Sequence, residues 1–117
     1  MEISLTNTAV DGCSVLEVRG EVDFYSAPTL RDRLAELLET GDEPVIVDLS
    51  EVGFIDSTGL GALVGALNLA NERNRSLSVV CAQERVLKLF RITGLDGVFS
   101  LFDSTQAAAD SVSKDAE

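Results

Sequence analysis

The run Val45-Ile46-Val47-Asp48-Leu49 is short, β-branched and apolar at all but one position. Such a strand has no face suited to water, so it belongs near the middle of a sheet that is covered on both sides or nearly so. The flanking segments supply that cover. Before it, Leu30, Leu34, Leu37 and Leu38 recur at helical spacing after Ser26-Ala27-Pro28, a cap candidate followed by an early proline, and Gly41 stands where the helix should end. After it, Leu60, Leu63, Val64 and Leu67 mark the apolar face of a second helix running towards Arg73 or Asn74. Gly61 and Gly65 fall inside that helix, where a glycine costs about 1 kcal/mol, and close approach of another backbone is the expected reason for them.

The alternation extends along the chain. Residues 3–6 and 14–20 alternate apolar with polar positions and enclose the turn pair Asp11-Gly12, which predicts an opening hairpin. Leu77-Ser78-Val79-Val80-Cys81 predicts a further strand, and residues 83–93 a helix with Val86, Leu87 and Phe90 on one face and Gly94 beyond its end. Val98-Phe99-Ser100-Leu101-Phe102 predicts a last short strand, and residues 103–112 a closing helix capped by Asp103 or Ser104. The order β-β-α-β-α-β-α-β-α predicts an α/β fold: a mixed, mostly parallel sheet of four to five strands packed with about four helices. With 117 residues, 45% of them hydrophobic, the chain suits one domain over residues 1–112, with 113–117 as a loose tail. Phe54, Phe90, Phe99 and Phe102 are expected to fill the core beside many Leu and Val.

Nine basic against twenty acidic residues leave a formal net charge of −11, which opposes phosphate backbones and anionic lipid, so neither nucleic acid nor membrane is an expected partner. No apolar stretch approaches the roughly 20 residues required to span a bilayer, and no secretory signal is expected. Cys13 and Cys81 both sit in apolar, strand-like runs, which predicts small buried hydrophobes in a reducing cytoplasm rather than a disulfide.

Chemistry is restricted by what is missing. Without any histidine a Ser-His-Asp hydrolase is excluded in its ordinary form, and the two lysines, Lys88 on the third helix and Lys114 in the tail, are far from Ser57 in sequence. Of the phosphate-cradling glycine signatures only the fragment Gly59-Leu60-Gly61 occurs, and two separated cysteines cannot supply a tetrahedral zinc site. No catalytic residue, metal or cofactor is expected. One rival arrangement remains: Asp23, Asp48 and Asp56, each at or just beyond a predicted strand end, could converge on a magnesium ion as in receiver domains. Taken separately, Asp48 would satisfy nearby backbone N–H groups, Asp56 would cap a helix and Asp23 would form a turn.

Ser57 stands where a strand stops and an apolar helix begins, in Phe54-Ile55-Asp56-Ser57-Thr58-Gly59-Leu60-Gly61. Backbone N–H groups without intrahelical partners make such a place tolerant of an anion, and phosphorylation would add about −1.5 to −2 charge beside Asp56. The plainer reading makes Ser57 itself the N-cap.

The blocks Gly20-Glu21-Val22-Asp23, Ala27-Pro28-Thr29-Leu30-Arg31, Val45-Ile46-Val47-Asp48-Leu49-Ser50, Phe54 to Gly61, Val86-Leu87-Lys88-Leu89-Phe90 and Thr93-Gly94-Leu95, in this order, closely resemble the STAS domain of bacterial anti-sigma factor antagonists. The resemblance spans nearly the whole chain. It implies a non-enzymatic partner switch in transcription regulation: the unmodified domain binds an anti-sigma factor that is also a serine kinase of the histidine-kinase-like ATPase type, and so frees a sigma factor. That kinase phosphorylates the serine of the D-S-T/S-G block and binding is lost, until a metal-dependent serine phosphatase restores it. Carried onto this sequence, Ser57 is the phosphoacceptor and Thr58 a minor one, Asp56 flanks the acceptor, Asp23 lies in the adjacent loop, and Gly59 and Gly61 let the kinase reach the backbone. STAS domains also serve as constitutive scaffolds in larger complexes, which is the alternative, and weak nucleotide binding near Ser57 is a third.

Overall fold

The structure is a computed structural model that describes residues 3–115. Its first two strands, β1 (Ile3–Val10) and β2 (Cys13–Val22), form the expected hairpin. The turn lies at Asp11-Gly12, whose φ angles of 49° and 83° give the left-handed pair that two-residue hairpins favour. Then follow α1 (Ala27–Glu39), β3 (Val45–Ile55), α2 (Ser57–Glu72), β4 (Leu77–Val80), α3 (Glu84–Ile92), a single 3-10 turn at Leu95–Gly97, β5 (Ser100–Phe102) and α4 (Thr105–Asp115). The expected α/β domain and its element order are thus what the structure has. Spatial order across the sheet follows chain order, β1-β2-β3-β4-β5, with only β1 antiparallel.

That order decides which faces are covered. Each parallel crossover steps in the same direction, and right-handed crossovers that do so place their helices on one side of a sheet. Accordingly Leu30, Leu34 and Leu38 of α1, Leu60, Leu63 and Ala66 of α2, and Val86 and Phe90 of α3 share one core with Val45, Val47 and Leu49 of β3. Helix α4 lies on the opposite face and packs Ala108 and Ala109 against Cys13, Val15, Ile46 and Val80. The nearly unbroken apolar run at the start of β3 reflects this double cover.

Several expectations need correction. Strand β3 runs past Leu49 to Ile55, and it carries one extra residue against β2 between Asp48 and Glu51 and another between Val52 and Phe54, irregularities across which the two strands stay paired out to Val22 and Ile55. Phe54, on the far end of this extension, is 43% exposed rather than in the core, and Phe102 is half-buried against the smaller cluster; only Phe90 and Phe99 are fully inside, edge to face at 5.7 Å. Gly61 and Gly65 are exposed and a Cβ on either would meet nothing within 4 Å, so no backbone approaches them. Helix α4 continues to Asp115, with Ser104 as its cap through a 3.1 Å bond from the Ala107 N–H; the remainder of the expected loose tail lies outside the described residues.

One polar side chain ties the far end of the helical layer. Arg75, buried after α2, donates to the carbonyls of Leu37 (2.6 Å), Thr40 (2.8 Å) and Glu43, and so satisfies carbonyls at the C-terminal end of α1 and in the following loop. Cys13 and Cys81 are free and buried, and burial pushes both thiols above their ordinary pKa.

Candidate functional site

Strands β2 and β3 end side by side, and two connections leave from there: the loop into α1 and the tight turn into α2. Asp56 makes that turn. Its N–H donates to the Val22 carbonyl at 3.1 Å, while its Oδ1 accepts from the backbone N–H groups of Thr58 (3.0 Å) and Gly59 (3.1 Å) and from the Thr58 hydroxyl. Asp56 is therefore the N-cap of α2, and Ser57 is the first helical residue. The alternative of Ser57 as cap is thereby replaced, because the carboxylate one residue earlier already holds the N–H groups a cap would serve. Freed of that task, Ser57 is exposed, and among the described residues its hydroxyl makes no hydrogen bond.

Gly59 permits this closeness. A Cβ there would stand 2.7 Å from Ile55 Cγ1 and from Val22 Cγ1, so the first turn of α2 can fold onto the strand ends only with hydrogen at that position. Gly61, also singled out in the sequence, lies two residues further on and faces open space.

Asp23 begins the neighbouring loop. Its Oδ1 accepts from the N–H groups of Tyr25 and Ser26, both at 3.0 Å, the turn-forming arrangement expected of it. Ser26 stands at the N-cap position of α1 but gives its hydroxyl to the Glu21 carbonyl at 2.8 Å rather than to the helix. Both aspartates titrate below the ordinary carboxylate range: Asp56 chiefly through the Thr58 hydroxyl, Asp23 chiefly through the Ser26 N–H. The Phe24 N–H also lowers Asp56, which links the two connections.

Asp48 does not join them. It accepts from the Ser50 N–H at 2.9 Å and meets the Thr105 hydroxyl at 3.5 Å, on the α4 side of the sheet. Among the described residues no group of three or more Asp, Glu, Cys or His could hold a metal ion, so the rival three-carboxylate site is not assembled. Nor does the sheet have a point at which strand order reverses, the place where such clusters gather in doubly wound folds.

What the sequence reading missed is the surface beside Ser57. Phe24 and Tyr25 are 68% and 81% exposed and pack edge to face, centroids 5.6 Å apart. Phe24 also walls a groove of about 350 Å³ with Ala27, Pro28, Arg31, Thr58, Gly61 and Ala62, between the starts of α1 and α2. Two adjacent aromatics at a strand-to-helix turn, in a chain with only 5% aromatic residues, were the available signal. Exposed aromatics of this kind suit a docking surface, and Ser57, the chain neighbour of Thr58 in the groove wall, carries an unengaged hydroxyl close by. Among the described residues no general base is hydrogen-bonded to that hydroxyl, so nothing there raises its nucleophilicity.

Residues 4–108 match the family model described as the STAS domain. The anti-sigma-B factor antagonist of Staphylococcus aureus is 32% identical over 106 residues, 91% of this chain and 98% of that protein. Among solved structures, an anti-sigma factor antagonist from Mycobacterium paratuberculosis superposes with a TM-score of 0.88 at 28% identity, covering 95% of this chain and 94% of that one. The Bacillus cell fate determinant SpoIIAA in its phosphorylated form has the same fold at 19% identity, with a TM-score of 0.69 over 95% and 99% of the two chains. The family match over residues 4–108 and the 32% identity over 91% of the chain establish that the chain belongs to the STAS-domain family of anti-sigma factor antagonists.

Proposed function

We propose that the unmodified chain binds an anti-sigma factor which is also a serine kinase of the histidine-kinase-like ATPase type, thereby freeing a sigma factor. In this reading the kinase transfers phosphate to Ser57, binding ends, and a serine phosphatase resets the switch in the cytoplasm. The chain is substrate and ligand, not catalyst. The observation that carries the reading is the Ser57 hydroxyl: exposed, without a hydrogen bond among the described residues, on the first residue of α2 and beside the Phe24–Tyr25 surface. That a Bacillus protein of this fold exists in a phosphorylated form supports it.

The energetics suit a switch. Binding that buries Ser57 as a neutral hydroxyl would, after modification, bury a phosphate near Asp56 and Asp23, and like charges excluded from water lose several-fold more than the same charges on a free surface. A loss of about 3 kcal/mol weakens affinity more than a hundredfold. No refolding is required. Incubation with ATP and the candidate kinases of the same cell, followed by mass mapping, tests the reading: phosphate on Ser57 is expected, and a chain that binds its anti-sigma factor yet is never modified there would leave the scaffold alternative standing.

A further inference from the structure

Resting on Ser57 as the acceptor, we propose that Asp56 selects it over the adjacent Thr58 by holding the Thr58 hydroxyl. Two hydroxyls stand next to each other at the start of α2, and a kinase that reaches one has the other within a few ångströms. Their surroundings differ. The Thr58 hydroxyl donates to Asp56 Oδ1, the same oxygen that takes the Thr58 and Gly59 N–H groups, so the side chain is drawn back into the cap and forms part of the groove wall. The Ser57 hydroxyl has no such bond among the described residues.

Phosphoryl transfer forms a bond from the acceptor oxygen to the γ-phosphorus of ATP and breaks the bond from that phosphorus to the bridging oxygen, releasing ADP. The hydroxyl proton passes to a base of the kinase or to water. For Thr58 the oxygen must first leave Asp56, and the product would set a dianion at hydrogen-bond range from a carboxylate. Nor does Asp56 serve as the base for Thr58: three donors already share its Oδ1, which favours the ionised form and makes it a weak proton acceptor. Ser57 needs neither step. Asp56 is thus a positioning residue that works through Thr58.

The test is kinase-dependent labelling of the full chain with ATP, read site by site by mass spectrometry. The wild-type chain is expected to carry phosphate on Ser57 alone, and the double variant Ser57→Ala, Thr58→Ser, which puts a primary hydroxyl on the intact tether, to carry none at position 58. In Asp56→Ala label is expected to appear on Thr58 at about a tenth or more of the Ser57 level, as befits loss of a charge-assisted hydrogen bond, with Ser57 still modified. Asp56→Asn, which keeps an acceptor oxygen, falls between. Label at position 58 in the double variant, an unchanged Thr58 share in Asp56→Ala, or loss of label from both residues in that variant would each overturn the proposal. If Asp56→Ala does not fold by circular dichroism, the double variant and Asp56→Asn decide. A wild-type chain unlabelled on Ser57 would instead remove the reading beneath it.

Discussion

Gly59 rests on Val22 without space for a methyl group: a Cβ would lie 2.7 Å from Val22 Cγ1 and 3.1 Å from the Val22 carbonyl oxygen. Gly59→Ala must therefore push α2 off the strand ends, at a cost of about 1–3 kcal/mol in urea denaturation. Gly65, in the same helix, has open space around it, so Gly65→Ala is expected to raise stability by about 0.5–1 kcal/mol in the same assay.

Ser57→Ala and Ser57→Asp separate the hydroxyl from its charge. Calorimetry against the cognate anti-sigma factor is expected to find the alanine variant binding like the unmodified chain and the aspartate variant at least about tenfold weaker. Equal affinities would remove the electrostatic account of release.

Phe24 and Tyr25 fill no core, so shortening them tests the surface without touching the fold. Phe24→Ala and Tyr25→Ala should leave the denaturation midpoint in place while each weakens partner binding roughly tenfold or more, the range of an aromatic anchor. Unchanged binding by both would place the contact elsewhere.

Acid should act through Asp56 and Asp23. Their pKa values are lower in the folded chain than the ordinary 3.8, so their stabilisation is complete above that value and is lost as pH falls below it through the folded pKa. In urea midpoints measured from pH 7 to pH 3, the wild-type chain is expected to lose more than Asp56→Asn, whose cap cannot be protonated.

Arg75→Met keeps the volume and deletes the donors. The carbonyls of Leu37, Thr40 and Glu43 would then lack their partner, and a loss of about 3 kcal/mol is expected by chemical denaturation. Because this clasp holds the end of α1 opposite to the one beside the site, Ser57 labelling of the folded fraction should stay normal.

The fold was legible because its periodicities are clean: β3 begins with three buried apolar residues in a row and α1 repeats leucine on one side. The motif around Ser57 was legible as a motif. Its division of labour was not, since Asp56 and Ser57 are both good caps by type and only the path of the chain past Val22 decides which of them serves. Likewise Gly59, Gly61 and Gly65 read alike as letters, and the crossing of α2 over β2 makes one of them indispensable and leaves two in the open. Phe54 was misplaced because alternation assigns a face but does not tell how far neighbouring elements extend over it.

The bond from Asp56 to the Val22 carbonyl joins the acceptor segment to a strand that lies over thirty positions earlier in the chain. An enzyme approaching Ser57 thus meets a pose assembled from distant parts, and a short synthetic peptide spanning Phe54 to Gly61 would carry the same letters with none of that shape. Under the proposed switch recognition belongs to the folded object, so any event that melts the domain also erases the address.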